Sequence, residues 1–245
     1  MLQTPEFIFA AKSVLLTLAF FVFAFVQSLV VLYTPWFSGN RIQEKKYKQG
    51  LLWKRMPLIG LNAFLIIFIN FFGLYFGYSL FNHGETPEFY IIGAQILLIV
   101  VFDDIYFYFY HKFLHENKWA LHHIHGIHHQ AIMPFPMEFI YVHPAEWFLG
   151  SFGLFIGVII AAILGSPVSA VAFWLYIVVR NLHETDIHSG IKSRIFNKIP
   201  FIAPAEHHDL HHSRPFGNYA STLLIWDKVF GTEVTPEEVK KGKKA

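Results

Sequence analysis

Phe7 to Tyr33 is a run of 27 residues interrupted only by Lys12, Thr17, Gln27 and small hydroxyl side chains, and its length fixes the solvent in which the chain folds. A helix needs ~20 apolar residues to cross a bilayer. The run therefore predicts a transmembrane helix. A signal peptide would open with basic residues and carry a shorter apolar core; here Glu6 precedes Lys12 and no basic residue does, so a retained helix is expected. Composition agrees, with 54% hydrophobic and 15% charged residues and a mean hydropathy of +0.42. A soluble domain carries about 25% charged residues. The net charge of +2 is too small to favour nucleic acid as a partner. With no cysteine in the chain, disulfides, iron–sulfur clusters and thiolate metal sites are excluded together.

Three further apolar runs follow. Thr34 to Met56 reads as a polar loop with Arg41, Lys45, Lys46, Lys48, Lys54 and Arg55 against the single acid Glu44; Pro57 then opens a run to about Phe81. The link Asn82 to Glu88 has no Lys or Arg. That asymmetry predicts a cytoplasmic first loop and an amino terminus on the opposite face. Phe89 to Tyr110 contains Asp103 and Asp104, and it delivers His111 and His115 to the cytoplasmic side. Trp147 to Arg180 would span about 51 Å as one helix, against a ~30 Å hydrocarbon core. Gly165-Ser166-Pro167 at its middle predicts a turn between two legs. The expected architecture is all-α and integral to the membrane. About four transmembrane helices form two hairpins, the last short or re-entrant, beneath a cytoplasmic, helical, histidine-rich cap.

The histidines carry the functional argument. Seven of the fifteen lie within 111–129 and six within 183–212. His208, His211 and His212 are spaced so that all three imidazoles can converge on one side of a helix; His125, His128 and His129 repeat the spacing, and His111 and His115 are four apart. Neutral imidazole suits iron, zinc, copper and nickel. The number exceeds one coordination sphere, so two metal ions are expected. Glu-x-x-His and His-Glu-x-x-His motifs are absent, which leaves a mostly all-nitrogen site. Asp104, seven residues before His111 and on nearly the same helical face, is expected to support that imidazole; a hydrogen bond to a neighbouring tyrosine is its structural alternative.

HKFLH (111–115), HGIHH (125–129) and EHHDLHH (206–212) resemble the three histidine boxes of the membrane fatty acid hydroxylase/sterol desaturase superfamily. YVHPAEW (141–147), DIHSG (186–190) and AEHHDLHHSRPFGNYAS with the following WD (205–227) are most similar to its 4-methylsterol oxidase branch. The likeness covers roughly 100–232. It implies a single domain over 1–245, with two helices and the start of a third in 1–100, a histidine-box catalytic region in 101–232 and a basic tail in 233–245. The ligands it implies are His111, His115, His125, His128, His129, His143, His188, His208, His211 and His212. His143 and His188 rest mainly on the likeness. His207 is expected to hydrogen-bond a neighbouring ligand, His122 and His123 compete with His125, and His183 is structural. Asn218, Tyr219 and Asp227 are either supports of the ligands or caps and packing groups.

The resemblance further implies a non-haem di-iron centre that activates O2 and hydroxylates an unactivated C–H bond of a lipid, sterol-like first and fatty-acyl or alkyl second. No flavin, nicotinamide or haem motif is present, so electrons come from outside, from a cytochrome b5-type or ferredoxin-type donor with its reductase. Lys45, Lys46 and Lys48 either steer that donor or merely mark the cytoplasmic side. The host membrane is endoplasmic reticulum or bacterial inner membrane. After DIHSG, the family's Tyr-x-Phe-Pro is replaced by Ile191-Lys192-Ser193-Arg194, which puts a 4-methylsterol substrate in question. Two other classes compete. A metal transporter would need ionisable residues along its spans, and a zinc hydrolase an open zinc position with a carboxylate base such as Glu206 or Asp209.

Overall fold

A computed structural model describes residues 4–164 and 167–240. In hydrocarbon every backbone donor and acceptor has to be satisfied within the chain, and helices do this locally. Among the described residues, four stretches are long and apolar enough to cross a membrane. They are α1 (Pro5–Tyr33), α2 (Leu51–Phe76), α3 (Phe89–Glu116) and the near-continuous pair α5 (Pro144–Gly150) and α6 (Phe152–Leu164). The short α4 (Lys118–His123) lies between α3 and α5; α7 (Ala170–Ile187), α8 (Ala205–Ser213), α9 (Ile225–Val229) and α10 (Pro236–Lys240) complete the chain. The strands β1 (Phe81–Asn82) and β2 (Val168–Ser169) pair in parallel, a small departure from the all-helical expectation. Gly165 and Ser166, where the turn was expected, and Lys241, Lys243 and Lys244 of the basic tail lie outside the described residues.

Helix α1 packs mainly on α2, and α3 on α6 and α7. Along α1 more than half of the packed positions are small or polar and the outer face is large and apolar, which suits association in lipid. On α1 the buried positions include Ala10, Ser13, Thr17, Ala24 and Ser28, whereas Leu15, Val22 and Val26 face outward. The α3–α6 contact depends on Gly153 and Gly157, one turn apart. A Cβ there would lie 2.7 Å from the Asp103 carbonyl and 2.8 Å from that of Ile99.

One sequence boundary shifts. Helix α2 starts at Leu51, with Pro57 inside it, so Lys54 and Arg55 belong to the helix and not to the loop. Arg55 is buried, bonded to Glu138 at 3.0 Å and to Gln130, so it is used in packing. The remaining loop does reach the histidine layer. Gln43 donates to both Asp209 carboxylate oxygens and to the Ile132 carbonyl, and Tyr47 donates to that of Pro134. The C-terminal end of α1, the start of α2 and the end of α3 therefore meet the cap at one end of the bundle.

Candidate metal centre

Four segments bring histidines to that end. Helix α3 continues past its apolar run to present His111 and His115, and Asn117 stops it while capping α4 through Ala120 N. The 3-10 turn His125–Gln130, the His188 position just after α7, and α8 supply the others. They form two groups whose ligating nitrogens all lie within 4.8 Å of one another: His111, His115, His125, His129 and His211, and His128, His188, His208 and His212. Nine of the ten expected ligands are thus gathered.

The grouping corrects the expected convergence. Neither triad stays together. On α8, His208 and His212 are stacked one turn apart and join the second group, while His211, displaced by about 100° from His212, joins the first. His129 follows His125, and His128 crosses to the other group.

The donor chemistry fits metal ions. His111 Nδ1 donates to the Tyr219 carbonyl at 2.8 Å, His211 Nδ1 to that of Gly217 at 2.8 Å, and His125 Nδ1 to Glu146 Oε1 at 2.8 Å. His188 Nδ1 donates to the Glu184 carbonyl at 2.9 Å and His128 Nδ1 to that of Tyr141 at 3.4 Å. With Nδ1 carrying the proton, Nε2 presents a bare lone pair. Yet His111 Nε2 and His125 Nε2 are 3.0 Å apart. Two lone pairs at that distance repel unless a cation lies between them. Neighbouring Nε2 atoms in the first group are 2.8–3.2 Å apart. Ligands at ~2.1 Å from an ion are about 3.0 Å apart at right angles and about 3.4 Å apart in a tetrahedron. The first group therefore has right-angled spacing, unlike a closed zinc tetrahedron. In the second group the separations are 3.1–3.4 Å.

Burial keeps these imidazoles neutral. It pushes His125, His128 and His188 down from 6.5 to about 3, and lowers His129, His208, His211 and His212, with neighbouring histidines adding to the effect in these last four.

Several expected roles change. Asp104 does not touch His111, because seven residues are about 10 Å along a helix. Its carboxylate accepts from Thr222 N, Leu223 N and Trp226 Nε1 at 2.8–2.9 Å, and so fixes the loop whose Tyr219 carbonyl holds His111. The shared face was real; the partner is the loop. His143 stands outside both groups and caps α5, its Nδ1 accepting from Ala145 N at 3.1 Å. His207 meets no ligand histidine; its Nε2 lies 3.3 Å from Asp227 Oδ2, an ion-pair distance without hydrogen-bond alignment. His122 and His123 are exposed, and His183 donates to the Ala203 carbonyl at 2.8 Å. Asp227 accepts from Tyr219 N, Ala220 N and Thr232 Oγ1, and Asn218 pairs with Val234 through both backbone groups. Gly217 has φ +76°, and a Cβ there would meet Val234 Cγ2 at 2.5 Å, so only glycine lets its carbonyl reach His211.

Two anchors escaped the sequence reading. Glu146, immediately before the last apolar run and three residues after His143, holds His125. Its Oε2 is buried without a partner. Glu184, one turn before His188, gives that ring its carbonyl and sets Oε2 3.5 Å away. A carboxylate flanking an apolar stretch, a few residues from a histidine, was the available signal.

A cavity of about 240 Å³ opens below both groups. His111 and His125 of the first and His128, His188 and His208 of the second line it, above an apolar wall that includes Phe21, Ile66, Phe107, Phe139 and Phe173.

The fatty acid hydroxylase family model matches residues 96–232. The chain belongs to that family. Methylsterol monooxygenase 1 of Gallus gallus is 32% identical over 215 residues, 85% of this chain and 71% of the relative. Its Rattus norvegicus counterpart is 34% identical over 226 residues, 87% and 75% of the two chains. A very-long-chain aldehyde decarbonylase of Oryza sativa subsp. japonica, 34% identical over 152 residues, covers 60% of this chain and 55% of the relative. No solved structure matches. The matched span of the family model holds every histidine of the two groups. The chain is a membrane oxidoreductase of the oxygen-dependent kind that this family comprises.

Proposed function

We propose that the two histidine groups each hold one iron ion and that the chain hydroxylates a C–H bond of a lipid, sterol-like in preference to fatty-acyl or alkyl. The observation carrying this is the convergence of nine imidazoles, eight buried and His129 half-buried, in two groups of which five rings line a largely apolar cavity. Bound iron would supply activation of O2 and attack on the C–H bond, chemistry beyond any side chain here. The balance is one lipid C–H, one O2, two electrons and two protons giving one C–OH and one water. The electrons come from a one-electron carrier of cytochrome b5 or ferredoxin type, docking on the face of the histidine cap.

The chain's own residues bind, orient and insulate. Tyr219 O, Gly217 O, Glu146 and Glu184 O fix the tautomer of four rings so that Nε2 faces inward. The apolar wall excludes water and receives the lipid from the bilayer. The loop carrying Lys45, Lys46 and Lys48 lies at the cap end, which supports a cytoplasmic face for the site by the charge rule. The replacement at Ile191–Arg194 pairs Ile191 with Arg41 of this loop. We place it at the cap, away from the cavity's lining, so it does not argue against a sterol.

The test is purification in lipid nanodiscs with metal analysis and O2 uptake. Two irons per chain, with O2 consumed in step with hydroxylation of a methylsterol, is expected. Zinc with hydrolytic turnover, or exchangeable metal with no turnover, would replace this reading.

A further inference from the structure

Among the described residues the cavity wall carries a single Lys or Arg, and nothing described so far uses it. Arg180 lies on α7, with Glu184 and His188 one and two turns beyond it on the same face. Its guanidinium bonds Glu184 through Nη1, and Nε lies 3.5 Å from Asp103 Oδ2. Asp103 also accepts from the Tyr176 hydroxyl, and Glu184 from that of Ser221. A charged cluster between membrane helices is costly and marks a polar task. Among the described residues, Nη2 meets no protein acceptor, although a guanidinium carries five donors.

The other donors on this wall are mostly taken. Ser13, Thr17 and Ser151 bond backbone carbonyls, and the Trp174 indole bonds Ser13. Asn70 and the Trp147 indole are the neutral alternatives. Charge also selects the ligand. Asp103, Glu146 and Glu184 line the cavity against one cation, so a carboxylate or phosphate would enter an acidic surplus. A neutral hydroxyl or carbonyl oxygen needs only a donor.

We propose that Arg180, held by Asp103 and Glu184, is the subsite that grips a neutral oxygen of the lipid, so the site selects alcohols, ketones or aldehydes over hydrocarbons and over free acids. This rests on the lipid-oxidation reading and narrows its substrate class. Arg180 acts by positioning: Asp103 and Glu184 hold its fork rigid, and Nη2 is left for the ligand.

The test uses the full chain in nanodiscs and three ligands of one skeleton: a methylsterol, the same molecule without its hydroxyl, and one with a carboxylate in its place. Equilibrium binding is measured on metal-free protein, and KM and kcat on the iron-loaded form. The alcohol should bind about ten- to a hundredfold tighter than the other two, the range for a hydrogen bond to a charged group. Arg180→Met should bring the alcohol down to the level of the deoxy compound, through KM more than kcat, with metal content unchanged. Arg180→Lys should recover part of the preference. Equal binding of alcohol and deoxy compound by the wild type, tightest binding of the carboxylate, or an intact preference in Arg180→Met would each overturn the proposal. The wild-type comparison stands even if a variant fails to fold. A binding preference without turnover would defeat the oxidation reading and leave this subsite standing, whereas turnover without preference would do the reverse.

Discussion

The two histidine groups are built from overlapping pieces of chain but are not equivalent. The first has five imidazoles with Nε2 separations near 3.0 Å, and three of its Nδ1 atoms are fixed at 2.8 Å by Tyr219, Gly217 and Glu146. The second has four imidazoles, separations up to 3.4 Å, and two tethers, of which the one to Tyr141 is long. A carboxylate bonds directly to a ring in the first; in the second a backbone carbonyl does so, with the Glu184 carboxylate 3.5 Å off. Rigidity of a site follows from what lies behind its ligands. The first group should hold its ion more tightly and more selectively.

The largest expected effect comes from deleting a ligand on each side. His211→Ala should release the ion of the first group and His208→Ala that of the second, each leaving one metal per chain and lowering turnover by more than about a hundredfold. Elemental analysis with O2 uptake reads both; loss of both ions from either variant would erase the distinction between the groups. Acid should strike the two alike. The folded-state pKa values of His125, His128 and His188, near 3, lie below the unfolded 6.5, so their contribution to metal-free stability is complete above pH 6.5 and lost as pH falls toward 3. Thermal unfolding of the metal-free chain across that window should show the decline, and a flat profile would contradict the burial.

Asp104→Asn leaves one acceptor oxygen, and a new NH2 donor, facing three donors and should cost about 1–3 kcal/mol in unfolding free energy. Metal loss should then begin in the first group, because the loosened loop carries Tyr219. Smaller again are the carboxylate exchanges. Glu146→Gln should weaken the first ion by about tenfold or more. Glu184→Gln should change the second less than about threefold, because the backbone carbonyl on His188 survives. Equal losses in a metal titration of the two variants would remove the asymmetry.

Much of this was legible in the chain. Apolar runs longer than a bilayer is thick name the spans whatever they pack against, and Asp103 and Asp104 inside one of them announce a polar interior. Histidines at three- and four-residue spacing announce ligands. Reading stopped where a residue's partner lies far away in sequence. Asp104 and His111 share a face, but a loop more than a hundred residues later, and not either residue, decides what each one touches. Arg55 reads as a loop charge until Glu138, carried in from beyond α4, buries it.

The chain's own order of residues thus determined that it lives in a membrane, that its histidines gather at one end and that metal is their business, because hydropathy and helical spacing are local properties. Only the tertiary structure decided which imidazole joins which group, that Glu146 and Glu184 stand behind them, and that Arg180 faces the cavity. Those outcomes depend on the meeting of α3, α7, α8 and the 125–130 turn, and contact between distant segments is set by packing that no local pattern contains.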